Sequence, residues 1–205
     1  MSEKKNAILD VAQELFANHG FEGTTTRSIS DTAGVNIAML SYYFGSKEKL
    51  LQACLDRYAA DIFELIDKIG KEEPDPLKRM KRWNIEYVDF VFNNPQPVII
   101  AARERSLLND RPEILDNVEK AASRITQYVF NTIEEGKKSG VFREVDTYMT
   151  MHTLNKTVES LIAEHVWVKR NLNLEEGKSG KLYPEEFMER TRKHLVDLIE
   201  TYLCK

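Results

Sequence analysis

At 205 residues, with 42% hydrophobic content and a net charge of −4, the chain is long enough to bury a core of its own, which excludes a disordered polymer. The longest purely apolar run, Val98–Ala102, is far too short to cross a bilayer, and no apolar stretch follows the N-terminal lysines, so the expectation is a cytoplasmic protein with no membrane partner. Cys54 and Cys204 lie far apart without a neighbouring Cys or His pair, which removes both a disulfide framework and metal-ligand spacing.

In chain order, Ile8, Val11, Ala12, Leu15 and Phe16 recur on one helical face and predict a helix over 3–18, with Gly20 as its stop. A short helix can then start at Thr25 or Thr26, placing Ile29 and Ala33 together at i and i+4. Gly34 falls where the chain must turn sharply, since a residue without Cβ takes positive φ there, and Asn36 can cap the helix that follows. On that second helix Leu40 and Phe44 point inward behind Val35. Ile37, Ala38, Met39, Ser41 and Tyr42 are left outward or at the flanks. A helix-turn-helix results, and a third helix begins at Lys47. Ile, Ala and Met exposed beside aromatics make sense against thymine methyls and base edges in a major groove.

The run Thr25-Thr26-Arg27-x-Ile29-x-x-x-Ala33-Gly34-Val35 is preceded by Phe16 and His19-Gly20-Phe21 and followed by Leu40, Phe44 and Lys47-Glu48-x-Leu50. This series resembles the DNA-binding domain of the TetR family of transcriptional regulators. The resemblance implies that Thr26 and Lys47 hold DNA phosphates, as a helix N-terminus and an ammonium should, and that Arg27 reaches a base. The expected DNA-contacting set is Thr26, Arg27, Asn36, Ile37, Ala38, Met39, Ser41, Tyr42, Tyr43 and Lys47. Where the family usually has Tyr and then His between the positions of Leu40 and Phe44, this chain has Ser41 and Tyr43. Bulk charge does not mark the surface: residues 1–50 carry five cations (Lys4, Lys5, Arg27, Lys47, Lys49) against six acids (Glu3, Asp10, Glu14, Glu22, Asp31, Glu48). Placement matters more than the sum.

Beyond the reading unit the periodicity predicts helices over 47–70, 77–93, 98–108, from Asn109-Asp110-Arg111-Pro112 to about 140, 147–169 and 184–204, with no strand alternation. The Lys71–Pro76 and Asn93–Pro97 segments break them, and Arg170–Tyr183 is a polar linker. The fold expected is all-α: a helix-turn-helix domain over 1–46 joined to a larger helical ligand-binding and dimerisation domain over 47–205. The resemblance implies a homodimer on a palindromic operator, closed by the last two helices through Leu154, Val158, Leu161, Ile162, His165, Leu195, Leu198, Ile199 and Tyr202. It further implies a repressor released by a small-molecule effector. Phe63, Trp83, Tyr87, Arg103, Tyr128, Asn155 and Glu159 combine aromatic walls with polar groups and are the candidate pocket.

Two other readings stand beside this one: a helical protein of the same fold acting through a protein partner, and a helical-bundle enzyme. Against the enzyme, no histidine among His19, His152, His165 and His194 follows a Glu by three residues, and neither a phosphate-cradling Gly loop nor a Gly-x-Ser-x-Gly elbow occurs. No catalytic residue, cofactor or metal is expected.

Overall fold

A computed structural model describes residues 3–104, 112–177 and 181–204. The helices are α1 (Glu3–Gly23), α2 (Thr26–Thr32), α3 (Ile37–Phe44), α4 (Lys47–Glu72), α5 (Pro76–Asn93), α6 (Gln96–Arg103), α7 (Pro112–Lys138), α8 (Thr147–Ala163), α9 (His165–Leu172) and α10 (Glu185–Leu198), followed by a wider turn, Ile199–Leu203. Among the described residues the only strand-like feature is an isolated antiparallel bridge between Phe142 and Cys204. The expected end of the sixth helix near Leu108, and Ile114, Leu115 and Val118 as inward residues of the next, lie outside what is described.

The chain divides into two compact units, residues 1–61 with 96–121 and residues 62–95 with 122–205. The expected boundary at 46/47 therefore moves into α4. Its first turns bury Leu50, Leu51, Cys54 and Leu55 in one core with Ile8, Phe16, Phe21, Ile29, Leu40, Phe44 and, from α6, Ile100. Each fully buried Leu, Ile or Phe contributes about 1.5–3 kcal/mol, so the reading unit is anchored by α4 and α6 as much as by its own helices. Burial pushes the Cys54 thiol up to about 12, and its sulfur faces the Leu9 carbonyl; it is an inert packing group.

In the second unit, Asp75 caps α5 through the Lys78 amide at 2.9 Å with Pro76 in the first turn. The helix expected over 147–169 is two helices. The helix stops at Glu164 (φ −102°, ψ 22°), whose amide closes the last turn on the Ser160 carbonyl at 2.9 Å, while the Ile162 carbonyl lies 3.0 Å from His165 Nδ1. The last helix is likewise shorter than expected. Its α-helical part ends at Leu198, and the Arg143 amide then holds the Leu203 carbonyl at 2.8 Å. Phe92, Tyr183 and Phe187 pack as an aromatic group, with centroids 4.7 to 6.3 Å apart.

Candidate nucleic-acid interface

Thr25, not Thr26, is the N-cap of α2: its hydroxyl accepts the Ser28 amide at 3.0 Å while the Ser28 hydroxyl accepts the Thr25 amide at 3.1 Å, a reciprocal capping box. Thr26 and Arg27 then occupy the first turn, ahead of the first intrahelical bond from the Ile29 amide to the Thr25 carbonyl. Amides of a first turn point out of the helix end, which is the arrangement a phosphate needs. Gly34 takes φ +65°, as the turn demands, and the Val35 amide closes on the Ser30 carbonyl at 3.0 Å. Asn36 caps α3 through the Ala38 amide at 2.9 Å. The cap uses its side-chain oxygen.

On α3 the inward pair is as the spacing requires, with Leu40 and Phe44 buried. Outward, Tyr42 is 84% exposed and Ile37 46%, Ala38 and Ser41 are exposed, and Met39 is half-buried. Tyr43 is half-buried, with Tyr42 edge-on to it at 5.4 Å. An eight-residue helix that leaves Ile37 and Tyr42 in water while burying only two residues presents a surface for something else. Arg27 is exposed and touches Asp31 only at 3.9 Å, so its guanidinium is close to free.

Lys47 has an internal task. Its ammonium donates to the carbonyls of Phe21 at 2.9 Å and Thr24 at 3.1 Å and lies 4.0 Å above the Phe21 ring. An ammonium has three donors, so a phosphate would meet the third. Thr24, which the sequence pattern did not single out, is fully buried, and its hydroxyl donates to the Gly20 carbonyl at 2.8 Å. A Thr just before a cap-forming Thr was the available signal.

The expected pocket residues are not brought together. Arg103 belongs to the first unit, where it donates to the carbonyls of Ala17 and Asn18. Phe63 lies under the Arg124 guanidinium at 4.7 Å. Asn155 and Glu159 line a small cavity of about 40 Å³ with Ile125, Met151 and His152, and Glu159 pairs with Lys156. Trp83, Tyr87 and Tyr128 do meet: Trp83 stacks on Tyr87 at 4.9 Å and meets Tyr128 edge-on at 5.2 Å. In this layer Trp83 Nε1, the Tyr128 hydroxyl and, one turn before Trp83, Arg79 Nε are buried without a hydrogen-bond partner. Burial pushes the Tyr128 phenol up to about 12, so it stays protonated and able to donate. Arg79 was missed because a lone Arg on an amphipathic helix carries no sequence signal.

Of the expected dimer residues, Leu154, Val158, Ile162, Leu195 and Ile199 are buried in the chain's own core, a correction to the reading that they face a partner. A full hydrophobic stripe on a helix covers its own domain first. Leu161, His165 and Leu198 are half-buried, Tyr202 is exposed, and around them α8 and α10 form open grooves of about 180 and 560 Å³. Among the described residues, no group of His, Cys, Asp or Glu is placed to hold a metal ion, and no helix is long and apolar enough to cross a membrane.

Residues 8–54 match the family described as bacterial regulatory proteins, tetR family. The chain is 31% identical over 146 residues to the HTH-type transcriptional regulator RutR of Escherichia coli K12, a match covering 71% of this chain and 68% of RutR. Its fold is similar to that of the ketosteroid transcriptional regulator KstR2 of Mycobacterium tuberculosis (TM-score 0.79, 19% identity, 100% of this chain and 97% of that one). It is also similar in fold to AibR, solved with isovaleryl coenzyme A and operator DNA (TM-score 0.70, 20% identity, 96% and 97%).

Proposed function

The chain belongs to the TetR family and is a helix-turn-helix DNA-binding transcriptional regulator, and we propose that it is a repressor that grips a palindromic operator as a homodimer and lets go when a small molecule enters the second unit. The observation that carries this reading is the outward face of α3, apolar and aromatic yet uncovered, on a helix whose other side is fixed by Leu40 and Phe44. Ile37, Ala38, Met39, Ser41 and Tyr42 read base edges, Thr26 and Arg27 lie at the phosphate-facing end of α2, and Tyr43 and the third Lys47 donor add backbone contacts. The partner copy sits against the part of the α8 and α10 face left open, around Leu161, Leu198 and Tyr202. Two α3 helices then enter major grooves about 34 Å apart or a multiple of it. The protein works in the cytoplasm, where its DNA is.

The effector site is centred on Trp83 and Tyr128. An indole N–H and a phenol, buried and unpaired in one aromatic layer, and Arg79 Nε one turn earlier on α5, on a guanidinium whose Nη2 already pairs with Glu135, are three donors short of an acceptor. They suit a compound with an apolar body and a carbonyl or carboxylate oxygen. The isovaleryl thioester end of the isovaleryl coenzyme A bound to AibR is of that kind. Binding must favour the released conformation, because equal affinity for both states shifts nothing.

The test is fluorescence anisotropy with labelled duplexes from the region flanking the protein's own gene, followed by titration of isovaleryl coenzyme A into the complex. Binding of one flanking duplex at least about a thousandfold tighter than a scrambled one is expected. The acyl compound should quench Trp83 and lower the anisotropy. Equal affinity for all duplexes overturns the regulator reading; quenching without release overturns only the effector reading.

A further inference from the structure

Phe21 is held at both its amide and its carbonyl by charged side chains from beyond the helix-turn-helix. The helical path of α1 breaks just before it, at Gly20 (φ +75°, ψ 173°). On the near side of the break, the carbonyls of Ala17 and Asn18 accept from Arg103 Nη1 at 3.2 and 3.0 Å. On the far side, the Phe21 amide donates to Glu104 Oε1 at 2.9 Å. The break is fitted to this pair of side chains: a Cβ on Gly20 would stand 2.9 Å from Glu104 Oε1 and 3.1 Å from Arg103 Nε. From the opposite direction, the Phe21 carbonyl and ring take the Lys47 ammonium.

Phe21 is thus gripped at its amide by the end of α6 and at its carbonyl by the first residue of α4. These grips bracket the reading unit. Only two residues separate Lys47 from α3, and its second bond goes to the Thr24 carbonyl, next to the N-cap that starts α2. We propose that Arg103 and Glu104 are positioning residues for DNA recognition: through Phe21 and Lys47 they set where α2 and α3 lie, so the reading geometry is not self-contained in the family-matching segment 8–54. Charge-assisted bonds to backbone are short and directional, and here they cross more than 80 residues of sequence to land on the two sides of the Gly20 break, Arg103 before it and Glu104 after it. The carboxylate answers an amide at the start of a new turn, and the guanidinium answers carbonyls at the end of the old one, each on the side the helix dipole favours.

The experiment uses the full chain, the tightest duplex it recovers from a random-sequence pool, and a scrambled duplex of the same composition. Glu104→Ala is expected to lower affinity for the selected duplex about tenfold, the size of one charge-assisted hydrogen bond, while scrambled DNA binding changes less than about twofold. Glu104→Gln, whose amide oxygen can still accept from Phe21, should recover most of the loss. Arg103→Gln should reproduce the Glu104→Ala signature. A purely structural role would lower thermal stability and leave the ratio of the two affinities unchanged, and that result overturns the proposal. So does a Glu104→Gln variant as impaired as Glu104→Ala. Should Glu104→Ala lose its helical circular dichroism, the Arg103→Gln affinity ratio decides alone.

Discussion

The reading head in the first unit and the neighbourhood of Trp83 in the second treat their polar groups differently, although elsewhere in the second unit buried Asn84, Thr132 and Thr191 are bonded to carbonyls. In the first, the polar side chains that shape the reading head have partners: the buried Thr24 hydroxyl reaches two carbonyls, and at the exposed helix starts the Thr25 and Ser28 hydroxyls answer each other's amides and the Asn36 side chain holds the Ala38 amide. In the second, Arg79 Nε, Trp83 Nε1 and the Tyr128 hydroxyl are buried with nothing to bond. A buried donor left unmade costs about 1–3 kcal/mol. A protein can tolerate that where another molecule completes the bond, which is the ground for the effector site proposed above.

The contrast breaks most visibly on α3. Leu40→Ala removes a fully buried side chain between α2 and α4 and is expected to destabilise the protein by about 2–5 kcal/mol in urea unfolding, with DNA binding lost alongside. Tyr42→Ala, four-fifths exposed on the same helix, should leave stability within about 0.5 kcal/mol and still weaken operator binding. If the two substitutions cost equal stability, the outer face of α3 is packed against something and is not a reading surface.

A matched pair of hydroxyl deletions then compares the units directly. Thr24→Val strips two carbonyls of a buried donor and should cost about 1–3 kcal/mol. Tyr128→Phe removes an orphan and should be neutral or stabilising by up to about 1 kcal/mol, while blunting release by an acyl effector. Parallel losses in calorimetry would mean that the Tyr128 hydroxyl is satisfied in solution, and the effector site would have to be sought elsewhere.

How much of this was legible in the sequence follows from the range of each interaction. The cap, the turn glycine, Asn36 and the Leu40–Phe44 pair are settled by residues within four positions of each other, and all took the expected form. Parts of the pocket and interface sets came apart for one reason: periodicity tells which residues turn inward, not against what. Arg103 turned to α1, and Leu154, Val158, Ile162, Leu195 and Ile199 filled their own core. Arg79 and Glu104 carry no local pattern, since their partners lie 56 and 83 residues away. The breaks at Glu164 and Leu198 were also invisible, because no Gly or Pro marks either position.

The smallest effect tests how the acidic balance of the first fifty residues is tolerated on a DNA-binding surface. Asp31 sits near the end of α2, where the helix dipole disfavours an acid, and its contact with Arg27 is long and exposed on both sides. Asp31→Asn should therefore change stability by less than about 0.5 kcal/mol. It removes one negative charge beside the phosphates and frees Arg27, so affinity should rise about two- to fivefold at 0.1 M salt for selected and scrambled duplexes alike, and the gain should fade at 0.5 M. That signature, both duplexes moving together and vanishing with salt, is the reverse of the one expected for Glu104→Ala. A gain confined to the selected duplex would instead mean that Asp31 holds Arg27 away from a base, and that this ion pair tunes sequence choice rather than background attraction.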